Sequence, residues 1–235
     1  MARSRLGAAC AILAAGSSTR AGTDKVAADL GGQPVLAWSL AAAVAAAVFE
    51  RIVVVTRTER LAAVEEIVRT RVPDAIVVGG GDTRTASSWA ALDAAPDADV
   101  IAIHDSARPF APPSLFVRCV ESARKNGSAV AGLPLADTVR RADEAGTAIE
   151  ELAREGLWSA QTPQAFRREL LERARQAAGD RSFADDAAAV RAAGAPVRMV
   201  LGEPRNLKIT TIEDLGYARE LVAKGVVGMP ALQVR

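Results

Sequence analysis

The chain has 235 residues, half of them apolar, and its 29 basic and 28 acidic residues leave a formal charge of +1. This composition supports a full hydrophobic core and excludes global disorder, and the balanced charge argues against a general nucleic-acid-binding protein. Two cysteines and one histidine exclude a disulfide scaffold and a standard zinc site. No apolar run approaches the roughly 20 residues of a membrane span, and the N-terminus does not resemble a signal peptide, so we expect a cytoplasmic protein that binds no membrane.

Strand-like runs of β-branched residues alternate with alanine-rich helical stretches along most of the chain. The predicted strands are 8–13, 51–56, 75–78, 100–103, 129–133 and 197–201. The predicted helices are 35–48, 59–69, 85–94, 112–126, 165–178, 185–193 and 212–223. Because the strands are almost continuously apolar, they indicate an α/β fold of the Rossmann-like kind, with a mostly parallel sheet and helices on both faces.

The alternation breaks at about 134–159, where two polar runs flank a turn at 144–146. This pattern predicts a β-hairpin arm that projects from the main body. Because a two-stranded arm is only marginally stable alone, we expect it to lie against a second subunit of a homodimer. Residues 225–235 show no periodicity and are predicted to be a disordered tail. With no internal repeat and no linker, the chain 1–235 is predicted to form a single domain.

The turn after the first strand combines small residues with nearby cations. It reads Ala14-Ala15-Gly16-Ser17-Ser18-Thr19-Arg20, and Lys25 follows shortly after. It matches neither the dinucleotide fingerprint nor the P-loop. Small residues let backbone N–H groups approach a phosphate closely, and Arg20 and Lys25 would add fixed positive charge. An ordinary glycine turn with two solvated cations explains these residues about equally well.

Two later strand ends carry polar motifs, at the edge where open α/β sheets bind ligands. One is Asp82-Thr83-Arg84-Thr85-Ala86-Ser87, which follows three glycines, and the other is His104-Asp105-Ser106-Ala107-Arg108-Pro109. Asp105 suits Mg²⁺ or a sugar hydroxyl, and Arg108 suits a phosphate. For the first motif the alternative is a helix cap at Ser87 or Thr85. For the second it is a structural pair of Asp105 and Arg108. We expect His104 to have a structural role.

Three further segments have weaker signals. Lys208 lies in the run 206–210, predicted as an apolar-flanked strand, and a buried ammonium needs an anionic partner that a bound phosphate would supply. The segment 161–164, Gln-Thr-Pro-Gln, is interpreted as a polar turn. From composition alone, we expect Thr138 and Arg154 in the arm to lie on a solvated face.

Taken in order, these segments resemble the 2-C-methyl-D-erythritol 4-phosphate cytidylyltransferase family of the non-mevalonate isoprenoid pathway. The resemblance covers about residues 8–221. It is carried by the motifs at 14–20, 80–87, 104–109, 137–138, 156–164 and 206–210. It implies an enzyme that transfers CMP from CTP to the polyol phosphate, with Mg²⁺, and releases pyrophosphate without a protein nucleophile.

The resemblance also implies roles for individual residues. Catalysis would involve Arg20, Lys25 and Lys208, which would hold the phosphates and stabilise charge at the α-phosphate. CTP would contact Ala14, Ala15, Gly16, Gly81, Asp82, Ser87 and Asp105. The second substrate would contact Asp105, Arg108, Thr162, and Thr138 with Arg154 from the neighbouring subunit's arm. Asp105 would also serve as a ligand to the metal.

The loop between Arg20 and Lys25 departs from the family pattern. Asp24 stands where the family usually has proline, and the loop is shorter. Two alternatives stay open, and the altered loop supports only the second. One is a ribitol-5-phosphate cytidylyltransferase or another small sugar-phosphate nucleotidyltransferase, and the other is a nucleotide-binding relative without catalytic activity.

Overall fold

The computed structural model describes residues 7–16 and 26–231. The strands in this part of the chain are β1 (Ala8–Leu13), β2 (Asp29–Leu30), β3 (Gln33–Pro34), β4 (Phe49–Thr56), β5 (Ile76–Gly79), β6 (Val100–Asp105), β7 (Ser128–Pro134), β8 (Val139–Ala142), β9 (Ala148–Leu152), β10 (Trp158–Arg167) and β11 (Met199–Leu201). The α-helices are α1 (Val35–Ala45), α2 (Leu61–Arg69), α3 (Arg84–Ala94), α4 (Pro113–Asn126), α5 (Arg168–Ala178), α6 (Asp186–Ala192) and α7 (Ile212–Ala223).

Seven strands form one sheet in the order β11-β7-β10-β6-β1-β4-β5. The pairs β1–β4, β1–β6, β4–β5 and β7–β11 are parallel. Strand β10 is antiparallel to both of its neighbours, β6 and β7. The prediction of a mostly parallel sheet is confirmed.

Helices cover both faces of the sheet, as predicted. In β1, Ala9 and Ala11 pack on one side with Leu92 of α3 and Leu171 of α5. The intervening β1 side chains pack on the other side with α1 and α2. Because successive strand residues point to opposite faces, a strand buried on both sides is apolar throughout. No helix among the described residues is long and apolar enough to cross a membrane.

Strand β10 corrects two predictions. The segment 161–164 is not a turn, and residues 165–167 are not the start of a helix, because all of them belong to this strand. Ala165 and Phe166 are fully buried. Pro163 is tolerated inside the sheet because the pairing register shifts between Ala160 and Gln164. Helix α5 starts only at Arg168.

Two smaller predictions are also wrong. Lys208 lies in a loop between β11 and α7, not in a strand. The predicted disordered tail packs on the protein as far as Met229, because Val227 and Met229 contact a buried cluster that includes Trp38 and Leu215. Residues 232–235 lie outside the described part of the chain. The last helix begins as its sequence predicts, since Thr211 and Asp214 form a capping box.

The arm is an exposed antiparallel hairpin of β8 and β9, as predicted. Arg140 pairs with Glu151 at 2.9 Å and Arg141 pairs with Glu150 at 2.8 Å across its strands. Exposed cross-strand ion pairs contribute little stability. Ile149 is 61% exposed, so one large apolar side chain of the arm is open to solvent.

Candidate functional site

A cavity of about 380 Å³ opens at the carboxyl ends of β1, β5 and β6. This is the edge at which ligands bind open α/β sheets. Stretches of chain that are far apart in sequence meet there, and the predicted site residues in its lining are Ala15, Gly16, Gly81, Asp82, Ser87, Asp105 and Lys208. The cavity therefore gathers most of the residues expected to contact a nucleotide.

Asp105, the last residue of β6, is the carboxylate held most tightly in the cavity. Its Oδ2 lies 2.7 Å from Nζ of Lys208, and its Oδ1 lies 3.4 Å from Nε of Arg84. Burial alone would raise the pKa of this carboxyl, but the Arg84 and Lys208 cations outweigh it and lower the pKa to about 2. Asp105 is therefore ionised at neutral pH. The anion that Lys208 was expected to need is this carboxylate.

Arg84 is a site residue whose role sequence reasoning missed. It begins α3, and its Nη1 lies 2.7 Å from Oδ2 of Asp186, which is 2% exposed. Burial lowers the pKa of Arg84, but the carboxylates of Asp186 and Asp105 raise it above its ordinary value. Arg84 lies in the motif at 82–87, which the sequence analysis had singled out. Its closeness to Ser87 in that motif could have indicated that Arg84 belongs to the site. Its partner Asp186 lies about a hundred residues away, so the local sequence around Arg84 could not indicate the pairing.

The turn between β5 and α3 packs too closely for larger side chains. A Cβ on Gly80 would lie 2.6 Å from Oγ of Ser87 and 3.0 Å from Cγ1 of Val55. Ser87 donates its hydroxyl to the Thr83 carbonyl at 3.1 Å. Thr83, and not Ser87 or Thr85, caps α3 by accepting the Ala86 N–H. The alternative of a cap at Ser87 or Thr85 is wrong, and Ser87 stays beside the cavity.

The turn after β1 is only partly described. Ala14 is buried and donates its N–H to the Val55 carbonyl at 2.7 Å, so it lies beneath the cavity and does not line it. Arg57, which was not predicted, lines the cavity and donates its Nε to the Ala15 carbonyl at 3.1 Å. Arg20 and Lys25 lie outside the described residues.

Arg108 and Thr162 lie next to Asp105 but do not line the cavity. Arg108 donates to the carbonyl of Asn206 at 2.8 Å and to that of Ala160 at 3.4 Å. Its Nε is buried and has no hydrogen-bond partner among the described residues. Burial lowers the pKa of Arg108. An unsatisfied buried guanidinium nitrogen costs free energy.

His104 has the structural contacts expected of it. Its Nε2 bonds the Arg108 carbonyl at 3.1 Å, and its Nδ1 lies 3.0 Å from Oγ1 of Thr162. The Thr162 hydroxyl also accepts the Asp105 N–H at 3.0 Å. Burial lowers the pKa of His104 to about 4, so the ring is neutral and joins β6 to β10. This chain of bonds fixes the backbone that carries Asp105.

The arm residues do not reach the cavity within one chain. Thr138 and Arg154 are exposed, and neither lines the cavity. Arg154 donates Nη1 to the Ala136 carbonyl inside the arm. Their predicted contact with substrate therefore depends on a second subunit.

A magnesium ion with a nucleotide fits this site. The described residues contain no group of three or more histidine, cysteine, aspartate or glutamate side chains that could form a metal cage. Mg²⁺ commonly uses only one or two carboxylates, together with phosphates and water. Asp105, ionised at the cavity wall, is such a carboxylate.

Known proteins are similar to this chain along most of its length. The family model described as "IspD: 2-C-methyl-D-erythritol 4-phosphate cytidylyltransferase" matches residues 9–224. A bifunctional enzyme IspD/IspF of Anaeromyxobacter sp. (strain Fw109-5) is 46% identical over 230 residues, 92% of this chain and 58% of that protein. A 2-C-methyl-D-erythritol 4-phosphate cytidylyltransferase of Rhodococcus jostii (strain RHA1) is 41% identical over 216 residues, 90% of this chain and 93% of that protein. The chain thus spans a little over half of the bifunctional relative and nearly all of the second one.

Solved structures share the fold. The crystal structure of 2-C-methyl-D-erythritol 4-phosphate cytidylyltransferase from Thermus thermophilus is 32% identical, with a TM-score of 0.74, and the match covers 91% of this chain and 98% of that one. The structure of 4-diphosphocytidyl-2C-methyl-D-erythritol synthase from Anaerococcus prevotii DSM 20548 is 27% identical, with a TM-score of 0.82, covering 94% and 100%.

Proposed function

The chain belongs to the 2-C-methyl-D-erythritol 4-phosphate cytidylyltransferase family, and we propose that it transfers CMP from CTP to 2-C-methyl-D-erythritol 4-phosphate. The products are the CDP-alcohol and pyrophosphate. The observation that carries the proposal is the cavity at the strand ends, where Asp105, Lys208 and Arg84 form one charged cluster beside the small-residue turns. Such a cavity can accept a nucleotide and balance the charge of its phosphates.

The reaction needs no nucleophile from the protein. A phosphate oxygen of the polyol phosphate attacks the α-phosphorus of CTP in line, a new P–O bond forms, and the bond to the β-phosphate oxygen breaks. The electron pair leaves with pyrophosphate. Lys208, which is 43% exposed, offers its ammonium to the phosphates, and we assign Arg20 and Lys25 the same task. Positioning and charge stabilisation then supply the catalysis.

The nucleotide is placed by the two small-residue turns. We propose that the cytosine lies against Gly81, Asp82 and Ser87, and that the turn of Ala14, Ala15 and Gly16 approaches the base and the phosphates. The position of Gly81, Asp82 and Ser87 in the cavity lining supports this placement. Asp105 then faces the ribose.

The second substrate is placed beyond Asp105. Arg108, a guanidinium next to Asp105 in the chain turn that follows β6, is suited to the phosphate of the polyol, and Thr162 lies beside Asp105. Thr138 and Arg154 would reach this substrate from the arm of a second subunit. The exposed arm and its distance from the cavity support a homodimer in which each arm completes the other site.

Mg²⁺ accompanies CTP in this proposal and would be held by Asp105 together with the phosphates. When bound, it would neutralise phosphate charge and favour departure of pyrophosphate. The ionised state of Asp105 supports this assignment. We also propose a cytoplasmic location, for which the lack of a membrane-spanning helix among the described residues is the available support.

Pyrophosphate release tests the function. Purified protein is given CTP and Mg²⁺ with 2-C-methyl-D-erythritol 4-phosphate, with ribitol 5-phosphate or with no acceptor, and the product is identified by ³¹P NMR. We expect release with the first acceptor only, and its loss with EDTA. Faster turnover of ribitol 5-phosphate would favour the related cytidylyltransferase. Binding of CTP without release under any condition would favour a non-catalytic relative.

A further inference from the structure

We propose that Asp186 is a positioning residue for the reaction, because it holds the Arg84 guanidinium in the orientation that fixes the Asp105 carboxylate. The proposal rests on the function proposed above, in which Asp105 faces the ribose and the metal. Asp186 is not part of the cavity lining, and its side chain is 2% exposed. Arg84, which does line the cavity, is the route by which we expect it to act.

The N-terminus of α6 holds Asp186 in a defined place. The preceding residue, Asp185, caps the helix by accepting the Ala188 N–H at 2.8 Å. Gln164 of β10 donates Nε2 to the Asp185 carboxylate at 2.9 Å and accepts the Ala187 N–H at 3.1 Å. The helix end is thus tied to the sheet on both sides of Asp186, which makes Asp186 a rigid anchor.

Arg84 connects this anchor to the cavity. Its Nη1 is 2.7 Å from Asp186, and its Nε is 3.4 Å from Asp105. The contact with Asp186 is an ion pair, since Oδ2 of Asp186 makes no hydrogen bond with the described residues. Because a guanidinium is rigid and planar, attraction of one of its nitrogens to Asp186 limits the positions that the others can take. One side chain therefore spans a buried carboxylate and the carboxylate that faces the ligands.

The anchor, Asp186, matters because Lys208, the second cation in contact with Asp105, is also needed to bind the phosphates. Lys208 holds Oδ2 at 2.7 Å, but in the proposed reaction it turns toward the phosphates. Arg84 is then the cation that stays beside Asp105. With Asp186 removed, the guanidinium would be free to leave Asp105 for the same phosphates.

Asp186 also balances the charge of Arg84. The two side chains form an ion pair at 2.7 Å, and the Asp186 side chain is 2% exposed. A guanidinium left without a partner in that position would be costly, so loss of the Asp186 carboxylate favours movement of Arg84 toward the phosphates. This movement predicts weaker use of CTP when Asp186 is replaced.

A double-mutant cycle tests the proposal. Asp186→Asn, Arg84→Ala and the double variant are assayed for kcat and for the KM for CTP, below their unfolding temperatures. We expect Asp186→Asn to lower kcat/KM for CTP about tenfold, mainly through KM. In the Arg84→Ala background the same change should alter kcat/KM by less than about twofold, because the residue through which it acts is gone.

A matched control comes from the same helix as Arg84. Asp93 is 62% exposed and pairs with Arg175 at 2.6 Å, so Asp93→Asn also removes one carboxylate from an arginine but lies outside the cavity lining. We expect wild-type kinetics from it. Should Asp186→Asn fail to fold, Arg84→Lys serves instead: it keeps the charge but cannot span both carboxylates, so it should lose most of what Arg84→Ala loses.

Two results would overturn the proposal: wild-type kinetics for Asp186→Asn, or full additivity of its effect with Arg84→Ala. If Arg84→Lys replaces Asp186→Asn in the test, wild-type kinetics for Arg84→Lys would overturn the proposal. Failure of the proposed function gives a different result, namely a wild-type protein that releases no pyrophosphate. The same cycle is then run on CTP affinity by calorimetry, where additivity overturns the positioning role and non-additivity supports it.

Discussion

The ammonium of Lys208 lies 2.7 Å from the carboxylate of Asp105, although 103 positions separate the two residues in the chain. The contact joins the loop before α7 to the end of β6, across the mouth of the cavity. Since Lys208 is 43% exposed and Asp105 is 13% exposed, the lysine can turn toward a ligand while the carboxylate stays in the wall. The first prediction uses this asymmetry.

Lys208→Ala is expected to lower kcat/KM at least about tenfold, equivalent to about 1.4 kcal/mol of transition-state stabilisation. The reason is the loss of a cation that would meet the phosphates of CTP. The change in kcat/KM is measured from pyrophosphate release at several CTP concentrations. Lys224→Ala is the control, because the exposed Lys224, just after α7, pairs with the exposed Glu220 at 3.1 Å. Equal kinetics for the two variants would contradict the role of Lys208.

Asp105 predicts a pH dependence of stability. Its pKa is lowered to about 2 by Arg84 and Lys208 against the effect of burial, whereas an unfolded aspartate has a pKa of about 3.9. Its contribution to the free energy of unfolding is therefore complete above about pH 4 and is lost as the pH falls toward 2. Urea unfolding of the wild type and of Asp105→Asn should show a difference that shrinks through that window. A difference independent of pH would argue against the shift.

His104 predicts a second pH dependence of stability, of the same sign but in a higher pH range. Burial lowers its pKa to about 4, and an unfolded histidine has a pKa of about 6.5. The unfolded chain therefore takes up a proton that the folded chain refuses, so stability falls as the pH drops from about 6.5 to about 4. Because the chain has one histidine, the ring signals in an NMR titration of an untagged sample are unambiguous. A midpoint near 6.5 in the folded protein would show that the ring is not buried as described.

Arg154 tests the role of the arm. Arg154→Ala should raise the KM for the polyol phosphate about tenfold and change the KM for CTP by less than about twofold, because the arm is expected to reach only the second substrate. Arg141→Ala is the matched control in the same hairpin, since Arg141 is engaged with Glu150 at 2.8 Å. An equal loss for both substrates, or a monomer in sedimentation with full activity, would rule out the proposed arrangement.

The strands at the centre of the sheet could be predicted because each is apolar on both faces. Strand β10 could not, since its middle reads Gln-Thr-Pro-Gln and a proline between polar residues is typical of a turn. Those polar side chains are buried because they meet polar partners: Thr162 bonds His104, and Gln164 bonds the Asp185 carboxylate. The partners come from other elements, and local periodicity carries no information about them.

The sequence predicted which residues belong to the site better than it predicted the contacts between them. Strand ends placed Asp105, Ser87 and Gly81 at one edge of the sheet, and the structure brings them to one cavity. The partner of Lys208 could not be predicted, because ion pairing depends on which loops meet in space. For the same reason the sequence did not reveal that Asp186 holds Arg84.

The arm leaves the sheet and returns to it at one point. Pro134, the last residue of β7, lies opposite Trp158, the first residue of β10, and the Leu135 N–H donates to the Leu157 carbonyl at 3.0 Å just beyond them. The two ends of this insertion are thus already closed by a hydrogen bond, so a tight loop grafted there would join the same strands. Lengthening, trimming or exchanging the arm would leave the nucleotide cavity intact. The proposed binding of CTP and the proposed binding of the second substrate could therefore change independently.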